Sequence, residues 1–260
     1  MIQPTSATPT REPRVVRSVV HASALLKALQ RTGTPATLSD LARKVGLSKP
    51  ATHTLLRTLE LSGFVVRDDN ARYQLGWGLY ELGSSVARST ELTGVARMHL
   101  DRLAELTGEA VLLGILDNAT VLYLDRDQAG EPFSMVANIG RRSPLHTNAS
   151  GKVLLAHQSS RYIDGVAKKS LPPTTSLTIT DPTGLKAELR RIREHGYATC
   201  WQEQEIGLAS IAVPIFSSGR SVRAALAVAG PTKRLDKPAL PGLLAALKKT
   251  AADISRQLSQ

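Results

Sequence analysis

"LSDLARKVGLSKPATHTLLRTLELSGFV", residues 38–65, decides how the first third of this chain folds. Two helical patterns meet at Gly46. Leu38 to Val45 reads as one short helix. Ser48 is a good N-cap for the next, and Pro50 sits in its first turn, where a missing N–H costs nothing. Gly63 ends that helix. Two helices that cross steeply need a small residue in the first, a glycine in the turn and apolar side chains facing inward. Ala42, Gly46, and Leu41, Val45, Leu47 and Leu55 meet those needs. Thr52 stands where a branched aliphatic is more usual, and its methyl group partly substitutes. The spacing suits a helix-turn-helix. An αα-hairpin in another all-α setting is the bland alternative.

The neighbours separate the two readings. Val15 to Arg31 is a helical stretch with Val16, Val19, Val20, Leu25, Leu26 and Leu29 along one side. Downstream, "FVVRD" and "RYQLG" flank "DNA" at 69–71, two β-prone runs around a turn. Three helices and a hairpin over residues 14–75 give the order of a winged helix-turn-helix. With Leu55, Leu56 and Leu59 turned to the core, Ser48, Lys49, Pro50, Ala51, His53, Thr54 and Arg57 face outward. Short polar groups at a helix N-terminus suit the DNA major groove, and the helix end can also approach phosphate. Arg67 and Arg72 on the wing would reach backbone or minor groove, and Arg11, Arg14 and Arg17 would form a basic arm. A solvated side chain is the alternative for each single charge.

Charge agrees with this. The chain carries +11, and residues 1–90 hold 12 Lys/Arg against 6 Asp/Glu, over half of the excess. Aromatic residues make up only 4%, which argues against base stacking as the binding mode. One cysteine, Cys200, rules out an intrachain disulfide and fits a cytoplasmic protein. No apolar run approaches the roughly 18 residues of a membrane span, so no membrane partner is expected. Residues 1–13, rich in Pro and Thr, read as a disordered arm without the apolar centre of a secretory signal.

Residues 76–92, with Trp77, Leu79, Tyr80, Leu82 and Val86, read as a linker helix, although Gly78 and Gly83 lower its helical propensity. Residues 93–260 alternate. A helix ends at Gly108. "EAVLLGILD" and "TVLYLDRD" form a hairpin, and "PFSMVANIG" is a candidate third strand. Helices follow over Ala149 to His157 and Thr183 to His195. "YATCW", "SIAVPIF" and "RAALAVAG" are strands, and the pattern from Leu240 to Leu258 is a closing amphipathic helix. The fold class is α+β with a mostly antiparallel sheet.

Catalytic signatures are missing: there is no G-x-S-x-G, P-loop, G-x-G-x-x-G or H-E-x-x-H. The six histidines are scattered without metal-ligand spacing, so neither a metal nor a cofactor is expected. "EQE" at 203–205 reads as solvated surface acid. His146 and Ser150 lack a third partner for nucleophilic chemistry. Cys200 reads as a small core residue.

Five blocks in order, "SKPATHTLLRTLELSGFV", "YQLGWGLYELG", "SPLHTNASGKVLLA", "LRRIREHGYATCWQEQEIGLASIAVPIF" and "AALAVAGP", resemble the IclR-type bacterial transcriptional regulators from about Arg14 to the final helix. The resemblance implies a winged helix-turn-helix, a linker helix and a GAF-like effector domain. It also implies homodimers that often pair into tetramers on palindromic, double-stranded operator DNA. A small-molecule effector would meet Asn148, Ala149 and Ser150 on one wall, Cys200, Leu208 and Ser210 on another, and Ala227 and Ala229 on a third. Relatives that bind small keto acids have an acid in place of Cys200, Cys in place of Ser210, and serines in place of Ala227 and Ala229. An apolar pocket solvates a compact anion badly. Glyoxylate and pyruvate are therefore disfavoured, and a larger, mainly apolar, aromatic metabolite is expected. An empty, vestigial pocket is the alternative.

The expected function is a ligand-responsive regulator, of repressor type, for a catabolic operon. The rival is a small-molecule-binding enzyme with an appended helical domain. A purely structural DNA-binding protein would have no use for so large a second domain.

Overall fold

The computed structural model describes residues 15–88, 91–127, 139–217, 221–236, 238 and 240–259. The chain forms two compact units, Met1–Ser89 and Thr90–Gln260. The expected N-terminal arm, with Arg11 and Arg14, lies outside the described residues, as does most of the candidate strand "PFSMVANIG".

The first unit runs α1 (Arg17–Thr32), β1 (Ala36–Thr37), α2 (Leu38–Val45), α3 (Lys49–Leu61), β2 (Val65–Arg67), β3 (Arg72–Leu75) and α4 (Trp77–Arg88). Its core gathers Leu25, Ala28 and Leu29 of α1, Leu41 of α2, Leu56 and Leu59 of α3, and Val65 and Tyr73 of the wing. Val16, Val19 and Val20 were expected on the apolar side of α1, but all three are exposed. The first turns of α1 extend past the part that packs, so periodicity continues where burial has stopped. Leu55 is half-buried, and Thr52 takes the fully buried position instead. The wing has a third strand: two-residue β1 pairs with β3, which pairs with β2. Gly78, inside a helix, also has a reason. Its N–H donates to Gly63 O at 3.0 Å, and a Cβ there would sit 2.9 Å from that oxygen. Close approach of α4 to the end of α3 excludes a side chain.

The second unit runs α5 (Glu91–Thr107), β4 (Ala110–Asp117), β5 (Thr120–Asp127), β6 (Arg142–Pro144), α6 (Ala149–Ala156), α7 (Ser160–Ala167), α8 (Pro182–His195), β7 (Ala198–Trp201), β8 (Leu208–Phe216), β9 (Val222–Pro231) and α9 (Leu240–Gln257). Six strands make one antiparallel sheet in the order β6-β5-β4-β9-β8-β7. β6 and α7 were not anticipated. α7 is only eight residues with Gly165 inside it, too short for a clear period.

The two faces of this sheet differ in side-chain size. One carries Val111 and Leu113 of β4, Ile211, Val213 and Ile215 of β8, and Leu226 and Val228 of β9, packed with residues of α5 and α9. The other carries Ala198, Cys200, Ala212, Ala225, Ala227 and Ala229 beneath α6 and α8. Small residues let a helix approach closely. α6 is buried at all eight of its residues and packs against β4, β5, β7, β8, β9 and α8. Gly151 completes the fit, because a Cβ there would overlap the backbone of Leu145.

Gly151→Ala should therefore overpack α6 and cost about 1–3 kcal/mol. Thermal unfolding should show a midpoint several degrees lower. An unchanged midpoint would mean that the 145–151 turn yields freely.

Candidate functional site

The local chemistry of α3 sets its outward face. Ser48 Oγ accepts from Ala51 N at 3.4 Å and caps the helix, with Pro50 in the first turn. Thr52 is fully buried, and its hydroxyl donates to Ser48 O at 3.0 Å, so the core accepts it without an orphaned group. Ser48, Lys49, Pro50, Ala51, His53, Thr54 and Arg57 are all exposed. Thr54 Oγ1 donates to Pro50 O at 3.1 Å. Arg57 pairs with Glu60 at 3.0 Å. Two wing positions stand out beside them: Arg67, whose guanidinium lies 5.7 Å from the Tyr73 ring centre, and Arg72, and both are exposed. Arg17 is exposed at the start of α1. A capped helix start carries unpaired N–H groups and the positive end of the helix dipole, so this face attracts phosphate and offers short donors and acceptors to base edges.

In the second unit the strand register brings the second set of residues together. Cys200 pairs across to Ser210, Ser210 to Ala229, and Ala229 to Ala110. Ala198, Ala212, Ala227 and Leu112 form the next row. Leu208, Ser210, Ala227 and Ala229 belong to the face beneath α6, whose N-terminus supplies Ala149 and Ser150. All seven proposed pocket residues are buried. Two clefts, of about 660 and 560 Å³, open on this unit, and none of the seven lines either one.

A polar shell surrounds the start of α6. Asn148 Oδ1 accepts from Gly151 N at 2.8 Å and from the Tyr123 hydroxyl at 3.3 Å. Asn148 Nδ2 donates to Pro144 O at 2.9 Å. The Cys200 thiol donates to Thr147 O at 3.2 Å. Burial pushes Tyr123 up to about 12 and Cys200 up to about 11, the latter with help from the Glu203 carboxylate. Both therefore stay protonated near neutrality and act as hydrogen-bond donors. His146 shares a hydrogen bond with Pro172 O at 3.1 Å. Among the described residues, no three His, Cys, Asp or Glu side chains gather as a metal ion would need. No helix among the described residues is long and apolar enough to cross a membrane.

Three residues of this neighbourhood escaped the sequence reading. Tyr123 looked like one more apolar position of β5. Lys152 is the single charge in "ASGKVLLA", a signal that was open to reading. Glu203, expected on the surface, is buried and pairs with Lys152 at 2.5 Å. It lies just beyond β7, where the chain turns back under α6, and only the tertiary fold covers it.

Residues 18–69 match the model of the IclR helix-turn-helix domain, and residues 84–256 that of the bacterial transcriptional regulator IclR C-terminal domain. The chain is 31% identical to the HTH-type transcriptional regulator XynR of Escherichia coli, covering 94% of this chain and 98% of that one. It is 35% identical to the glycerol operon regulatory protein of Streptomyces coelicolor, over 94% and 97% of the two. Among solved structures, an IclR homologue of Microbacterium hydrocarbonoxydans complexed with 4-hydroxybenzoate superposes with a TM-score of 0.83 at 30% identity, covering 93% of this chain and 98% of that one.

The buried thiol makes a checkable pair of statements. Because its folded value is raised, the thiol contributes stability that is present below pH 9 and is lost as pH rises through about 11. Cys200→Ala should flatten the alkaline fall in stability between pH 9 and 11 relative to wild type. Ellman's reagent at pH 8 should react with Cys200 only after unfolding. Fast labelling of the native protein would contradict the burial.

Proposed function

Because the chain belongs to the IclR family of bacterial transcriptional regulators, we propose that it represses a catabolic operon by binding operator DNA through α3 and the wing, and that a small, mainly apolar aromatic metabolite relieves it. The observation that carries the DNA reading is the outward face of α3. Every residue from Ser48 to Arg57 that the core does not need is exposed, and the set is polar, short or cationic. In this reading Ser48, Lys49, Pro50, Ala51, His53, Thr54 and Arg57 meet the major groove. Arg67 and Arg72 meet the phosphate backbone or minor groove. One winged unit makes few contacts, so tight binding needs two half-sites and hence a homodimer, with dimers of dimers as the larger assembly. Exposed Trp77, Tyr80 and Leu82 on α4 are candidates for the dimer contact.

The ligand reading rests on the row of small residues. Ala227 and Ala229 supply no polar side-chain group, so a compact keto acid would lose more hydration there than the pocket returns. An aromatic ring gains about 25 cal/mol per Å² of apolar area buried. Its polar end would meet the N–H groups of Ala149 and Ser150 at the start of α6, with Ser210 and Cys200 beside it. The relative crystallised with 4-hydroxybenzoate supports this ligand class. An enzymatic role is disfavoured by the same chemistry: the Cys200 thiol is buried, protonated and committed to Thr147 O. The protein would work in the cytoplasm, where its DNA is.

Three measurements test the reading. Lys49→Ala and Arg57→Ala should weaken binding to the duplex upstream of the gene. A lost phosphate contact lowers the salt slope by about one, and a lost guanine contact costs about 1–3 kcal/mol at one base pair. Equal affinity in both variants would remove α3 as the reader. In calorimetry, 4-hydroxybenzoate and benzamide should bind, and glyoxylate and pyruvate should not. Ala227→Leu should abolish ligand binding. Tight keto-acid binding would overturn the apolar pocket.

A further inference from the structure

Lys152 and Glu203 form a buried ion pair between the two elements assigned above as opposite walls of the ligand pocket. Lys152 follows Ser150 by two residues on α6, and Glu203 follows Cys200 by three, just past β7. The Nζ–Oε1 distance is 2.5 Å, and Lys152 is 1% exposed. Among the described residues, the other carboxylate oxygen, Oε2, is buried with no hydrogen-bond partner. The backbone on the Glu203 side is clamped. Thr174 and Thr178 hydroxyls donate to Glu203 O at 2.7 and 2.6 Å, and the Thr175 hydroxyl donates to Gln202 O at 2.7 Å. Gln202 Oε1 accepts from Gly207 N at 2.9 Å and closes the turn that leads into Leu208 and Ser210. On the other side, α6 lies so close to the backbone of Leu145 that a Cβ at Gly151 would overlap it.

Two rigid walls are thus joined through one charged contact whose carboxylate is only half satisfied. A buried pair of this kind is poor value for stability. Removing one partner strands a charge, whereas replacing both with apolar groups of similar volume is often neutral or stabilising. Stability alone gives no reason for this pair rather than a Met–Leu contact. A fixed spacing between the walls does.

We propose that Lys152 and Glu203 are positioning residues: their ion pair holds the α6 N-terminus and the end of β7 at the spacing of the DNA-binding arrangement, and a ligand relieves repression by prising that spacing open. The proposal rests on the ligand pocket assigned above. A ligand shifts the equilibrium only by its preference for one arrangement, and the pair sets what that preference must overcome.

Full-length wild type, Lys152→Met, Glu203→Leu and the double variant provide the test, through thermal unfolding and affinity for the upstream duplex without ligand. Each single variant should lose about 5 °C or more, because one charge is left buried. The double variant should recover the wild-type midpoint within about 2 °C. Its affinity for the duplex should nevertheless fall by about fivefold or more. Recovery of both midpoint and affinity in the double variant would reduce the pair to packing and overturn the proposal. A double variant that stays as unstable as the singles would also overturn it, since the pair would then be held for stability. Titration of wild type with 4-hydroxybenzoate is the separate arm. Its failure counts against the aromatic ligand class and leaves the affinity comparison without ligand to decide the role of the pair.

Discussion

Close approach of α6 to the sheet is the constraint on which the second unit depends. A helix buried at all eight residues can exist only if what surrounds it is small enough to admit it. β7, β8 and β9 meet this need with alanines, a cysteine, a serine and a single leucine, Leu208, on one face, while large aliphatics on the other hold α5 and α9. Gly151 removes the last overlap. Once α6 is seated, its N-terminus is buried, with Ala149 and Ser150 both inside. Asn148 and Tyr123 are arranged around that end because buried donors must be matched. Helix seating and sheet asymmetry are consequences of one packing requirement.

The first unit solves a different problem. The helix that follows the turn at Gly46 is fixed on one side yet keeps the other face bare. Burying Thr52, Leu56 and Leu59 fixes α3. The hydroxyl of Thr52 turns back to Ser48 O, so a polar residue serves in the core and also tightens the helix start. The outward face is then free of structural duty. Arg57 makes an exposed pair with Glu60, a contact worth little in water.

Lys152 and Glu203 contrast with those surface charges. Both lie in the interior, where a pair is expensive to assemble and more expensive to break. Burial drives the Glu203 carboxyl up and Lys152 draws it down, with burial the larger influence. Three threonine hydroxyls on two successive carbonyls hold its backbone in place. This fixed polarity ties α6 to the segment just past β7.

Local chemistry in the sequence determined much of this. The Ser48 cap of α3, the turn at Gly46 and the outward set on α3 depend on contacts three or four residues apart, and they are legible in residues 38–65. The alternation of small and large residues in β8 and β9 is also written in the chain, since successive side chains of a strand point to opposite faces. Tertiary structure alone decided the rest. The valines at the start of α1 continue a helical period but have nothing to pack on. β1 is two residues long and exists because β3 pairs with it. Lys152 and Glu203 are 51 positions apart, and no local pattern reports a pair that forms only when β7 returns beneath α6. Periodicity and capping are short-range signals. Burial, and the charges that burial forces together, belong to the assembled fold.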